Sequence, residues 1–120
     1  MKKNFENRFD VAELDNGSMI IVGLLEDGIK KDSSLEIHEA IMERLYQIGL
    51  AYKLKYCALI DIFGDLKLND LTCPALIAEL EFIEEMINDP LLKKTIPQII
   101  AVAQECVKQK GKVKFIISGN

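Results

Sequence analysis

The chain has 120 residues, 49% hydrophobic and 28% charged, which are ordinary proportions for a globular protein large enough to bury a core without cross-links. No apolar run approaches the roughly 18 residues that span a bilayer, and no apolar segment follows the lysines of the opening MKKNFENRFD as a secretory signal would require. Charge is unevenly spread. Residues 1–55 hold 10 acids against 8 bases, residues 56–90 hold 8 acids against Lys67 alone, and residues 91–120 hold six lysines against Glu105 alone. That distribution argues against a general nucleic-acid binder, which needs a continuous basic face. An acidic surface offered to a basic partner fits it better, because complementary fields steer association.

Cys57, Cys73 and Cys106 form an odd set with no metal-type spacing, so they read as small buried hydrophobes in a reducing, cytoplasmic setting. One domain over residues 1–120, with no membrane partner and no cofactor, is the expectation.

In chain order, Arg8–Leu14 and Met19–Leu25 flank Asp15-Asn16-Gly17-Ser18, a strong hairpin signal because Asn and Gly accept the positive φ of a tight turn. Met19–Val22 is apolar on both faces and reads as central. Glu26–Asp32 reads as a polar loop. A helix is predicted from Ser33 or Ser34, with Ser33 and Glu36 at capping-box spacing, to about Ala51, and Ile37, Ile41, Leu45 and Ile48 mark its buried stripe. His38, the one histidine, lies at the edge of that stripe and reads as structural.

Tyr56–Phe63, broken only by Asp61 and ended by Gly64-Asp65, is predicted to be a strand covered on both faces. The next helix is predicted with Thr72 as cap, Pro74 in the first turn, and Leu76, Leu80, Ile83 and Ile87 as the buried stripe. Glu81, Glu84 and Glu85 fall on the opposite side. Glu79 lies on the flank of the stripe, where a half-buried carboxylate accepting hydrogen bonds is the simpler reading and a partner-facing acid the sharper one. After Asn88-Asp89-Pro90 a last helix is predicted from near Ile96, on the Thr95–Gln98 spacing with Pro97 in its first turn, to Gly111. Val113, Phe115 and Ile117 alternate in a final strand. The predicted fold is α+β in the order β-β-α-β-α-α-β, an N-terminal hairpin and a mixed sheet packed against helices.

Little in this chain points to catalysis. Gly17, Gly23 and Gly28 are too scattered for a phosphate loop, and a single histidine with dispersed cysteines makes no zinc site. Asp61, Asp65 and Asp70 could converge at the end of the third strand to hold a cation, but their spacing fits no calcium loop. The expectation is a binding protein, not an enzyme.

From about Ala58 to Asn120 the chain resembles small bacterial proteins of toxin–immunity neighbourhoods. The motif residues are Asp61, Gly64 and Asp65 at the end of a strand, Leu68-Asn69, then Leu76, Glu79 and Leu80 in a helix, and the closing Phe115-Ile116-Ile117-Ser118-Gly119-Asn120. A Gln is expected just before the helix, where this chain has Thr72. The resemblance covers about half the chain and implies an immunity protein that neutralises one cognate toxin domain by docking on it, the toxin being basic and of a class that includes nucleases. By charge and expected exposure, Asp65, Asp70, Glu81, Glu84 and Glu85, with Glu26 and Asp27 as outliers, are the candidate contact residues. A second likeness is to regulatory domains similar to anti-sigma-factor antagonists (STAS-like), which act by protein–protein binding. There a hydroxyl at the start of the helix is phosphorylated, and Thr72 would be the nearest.

Overall fold

The computed structural model describes residues 18–30, 34–60 and 64–119. The expected strand Arg8–Leu14, its Asn-Gly turn, Ser33 and Asp61 lie outside these residues.

The fold is α+β. Strand β1, Met19–Glu26, is its centre. It pairs on one side with β5, Lys114–Ser118, and on the other with both β2, Ile29–Lys30, and β3, Leu35–His38. Strand β4, Asp65–Leu68, pairs with the far side of β5. Every one of these pairings is antiparallel, where a mixed sheet was expected. The register places Ile20, Val22 and Leu24 on one face beside Ile37, Phe115, Ile117, Leu66 and Leu68. All eight are buried in the core.

Among the described residues three α-helices follow that pattern: α1, Glu39–Ala51; α2, Cys73–Met86; and α3, Pro90–Lys108. Helices α1 and α3 lie against the sheet, and α2 packs on α3. Met42, Leu45 and Ile48 of α1, Leu76, Leu80 and Ile83 of α2, and Leu92, Ile96 and Ile99 of α3 are closed from solvent. At roughly 2 kcal/mol for each large side chain withdrawn from water, this apolar interior is the main stabilising contribution.

Several expected boundaries move. The polar loop at Glu26–Asp32 is in part a hairpin, with Glu26 opposite Ile29. Asp27 and Gly28 both take positive φ, 54° and 80°, as a two-residue type I′ turn requires. The helix expected from Ser33 or Ser34 begins at Glu39, because Leu35–His38 is drawn into the sheet beside β1. His38 is its cap: the ring Nδ1 accepts from the Ala40 amide at 3.0 Å. The strand expected over Tyr56–Phe63 is not formed at its start, since Cys57–Leu59 is a 3-10 turn, and the strand lies later at Asp65–Leu68. Helix α3 starts at Pro90, not near Ile96. Asp89 caps it by accepting from Leu91 and Leu92 at 2.9 and 3.3 Å, and Pro97 sits inside the helix.

Candidate interaction site

Helix α2 carries the clearest group of candidate residues, and its attachment explains its orientation. Asn69 closes the turn before it, its side-chain Oδ1 accepting from the Leu71 and Thr72 amides at 2.9 and 3.0 Å. Thr72, expected to be the cap, already has helical φ and ψ and gives no side-chain cap bond. Its hydroxyl oxygen accepts from the Asn69 amide at 3.0 Å and faces the Asn69 side chain at 3.1 Å.

Glu79 then fixes α2 against the segment after α1. One carboxylate oxygen accepts from the Tyr56 amide at 3.1 Å and the Cys57 amide at 2.9 Å; the other accepts from Tyr56 at 3.0 Å. These amides open the 3-10 turn and have no partner within it, so the carboxylate completes its start much as a helix cap does. The simpler reading of Glu79 is the correct one.

With that side held inward, Glu81 and Glu85 are exposed one turn apart, and Glu84 is half-buried. Between Glu85 and the attachment runs a row the acid-based reading missed, in which Phe82 and Met86 are four residues apart. Phe82 meets Tyr52 edge-to-face, with ring centroids 5.5 Å apart. Tyr52 is 44% exposed, Met86 56%, and Leu59, two residues beyond the Cys57 amide, 52%. The signal was present in sequence: Phe82 and Met86 share helical spacing but lie off the Leu76–Leu80–Ile83 stripe.

The remaining candidates do not join this group. Asp65 is exposed at the start of β4 and accepts from the Ser118 hydroxyl at 2.9 Å. Asp70 is half-buried beyond the other end of that strand, roughly 15 Å away at the usual strand rise, so the two do not converge on a cation. Glu26 and Asp27 belong to the β1–β2 hairpin, at the end of the sheet where Leu25 faces Lys114. Among the described residues no cluster of three His, Cys, Asp or Glu side chains is placed to hold a metal ion.

The cysteines are closed to solvent. Burial, then the Glu79 carboxylate, pushes the Cys57 thiol far above its ordinary range. Burial, then the Cys106 side chain, does the same for Cys73, and burial raises Cys106. A neutral buried thiol is a poor nucleophile.

The residues that carry the resemblance have structural work within the described fold. Leu76 and Leu80 are buried, Asn69 and Glu79 cap backbone amides, and Gly64 accepts from the Gly119 amide at 2.7 Å. No described helix is long and apolar enough to cross a membrane. Comparisons with protein-family models, with curated proteins and with solved structures give no match to this chain.

Proposed function

We propose that this chain is an immunity-type binding protein that neutralises a cognate bacterial toxin domain by covering part of its surface with an acidic face. The supporting observation is α2, which has no lysine or arginine in its fourteen residues and presents Glu81 and Glu85 to solvent. Its inner side is held by the Glu79 bonds to Tyr56 and Cys57, so the acidic row is presented from a fixed scaffold. Such pre-organisation reduces the ordering cost of docking. The carboxylates steer a basic partner and set orientation, while apolar neighbours supply contact area.

An immunity role predicts a toxin gene immediately upstream, and the test is co-expression with its product. The expected result is restored growth with the native chain and loss of protection with Glu81→Lys/Glu85→Lys at equal protein level. Full protection by that variant, or growth arrest unaffected by the native chain, would overturn the reading.

A further inference from the structure

The surface around α2 sets an apolar centre beside an acidic border. The centre is apolar and aromatic: Tyr52 against Phe82, with Met86 one turn on and Leu59 on the adjoining 3-10 turn. Along the outer side of α2 the border is acidic, Glu81 and Glu85. Two lysines adjoin the tyrosines before the 3-10 turn. Lys53 lies next to Tyr52 with a left-handed backbone, φ 58°, and Lys55 sits with its ammonium 5.4 Å from the centre of the Tyr56 ring. An apolar centre with large exposed side chains inside a charged rim is the anatomy of a protein docking surface. The acidic row on one side of the apolar group orients a partner that carries the opposite charge.

We propose that the partner seats an apolar row on Tyr52, Phe82 and Met86 and lays a row of basic side chains along Glu81 and Glu85. The proposal rests on the binding role set out above and names the partner's chemistry: an amphipathic segment, basic on the side that meets α2. Tyr52 and Phe82 anchor it, since ring faces accept both aliphatic packing and the flat guanidinium of an arginine. The acids contribute orientation and association rate; the aromatic pair contributes residence time.

The probe is an 18-residue leucine–lysine peptide that forms an amphipathic helix, titrated into the isotope-labelled full chain and followed by amide chemical shifts. Shifts confined to residues 50–59 and 75–86 are expected. Tyr52→Ala is expected to weaken binding about tenfold. Glu81→Gln/Glu85→Gln is expected to weaken it to a similar degree and to flatten its salt dependence, while Lys53→Gln/Lys55→Gln leaves it unchanged or tighter. Thermal unfolding of each variant confirms that the fold is retained. Shifts elsewhere on the molecule, equal binding by Tyr52→Ala, or the same amides covered by a second copy as concentration rises would each overturn the proposal. Binding at this surface without protection from a toxin overturns the immunity reading alone. Protection that survives Tyr52→Ala and Met86→Gln overturns this surface alone.

Discussion

Arg44 of α1 meets Asp89, the residue that caps α3, with Nη2 and Oδ2 2.7 Å apart and both side chains almost wholly buried. Asp89 divides its two oxygens between tasks, Oδ1 accepting the amides that open α3 and Oδ2 facing the guanidinium. Removing one member of a buried pair withdraws from the other charge a partner that offsets its desolvation, which costs more than the pair itself contributes. Asp89→Ala is therefore expected to lower stability by about 3–5 kcal/mol, the lost cap included. Asp89→Asn, which keeps an oxygen for the cap and removes the charge, is expected to recover part of that loss. Urea midpoints of the three chains check it, and Asp89→Asn no more stable than Asp89→Ala would contradict the account.

Glu79 ties two elements 22 residues apart, so its loss acts on the loop more than on its own helix. Glu79→Ala leaves the Tyr56 and Cys57 amides without their acceptor, at an expected cost of about 2–3 kcal/mol. Glu79→Gln keeps one acceptor oxygen but loses the charge, and is expected to fall between. Hydrogen exchange gives the sharper reading. Amides of residues 54–60 are expected to exchange faster in Glu79→Ala while those of β1 and β5 keep their protection.

What the sequence made legible follows from how local each cause is. The stripe Leu76–Leu80–Ile83 and the end of α1 at Ala51 depend on spacing within one helix, and both appear where expected. The start of α1 did not, because Leu35–His38 is claimed by β1 across the sheet, and that pairing overrides a capping pattern four residues long. Two misplacements had local signals that were overlooked. Asp27-Gly28 is a hairpin turn signal, and Asp89-Pro90 is a cap followed by a proline at the first helical position. Pro97 stays inside α3 because the helix had already begun seven residues earlier. At the candidate surface, charge alone picked out Glu81 and Glu85. It could not show that Phe82 would find Tyr52, since that contact exists only once Glu79 has drawn the two segments together.

Gly49 illustrates a contact that helix propensity gets wrong. An alanine there would gain up to about 1 kcal/mol of intrinsic propensity. Yet its methyl would stand 2.7 Å from the Ala58 nitrogen and 2.7 Å from the Cys57 carbonyl carbon, both backbone atoms of the 3-10 turn. Neither can yield without moving the turn that Glu79 holds. Gly49→Ala is expected to destabilise by about 1–3 kcal/mol in net terms, the range for overpacking, and to speed exchange in the same 54–60 segment. A thermal midpoint equal to or above that of the native chain would show that the turn gives way freely.

The buried thiols are expected to make stability fall at alkaline pH. Cys57, Cys73 and Cys106 are all held protonated by burial, so their folded pKa values lie above the value near 8.5 of an unfolded thiol. Below that value both states carry the proton and the thiols contribute no pH dependence. Above it the unfolded chain releases protons that the folded chain keeps, so the unfolded state binds fewer and stability falls as pH rises. Urea midpoints from pH 7.5 to 9.5 should therefore decline for the native chain. The slope should flatten in Cys57→Ala/Cys73→Ala/Cys106→Ala, whatever its absolute stability. Labelling of the folded chain by a thiol reagent at pH 8 should track unfolding and slow as the chain is stabilised. Rapid labelling with no dependence on stability would show that at least one thiol is open to solvent.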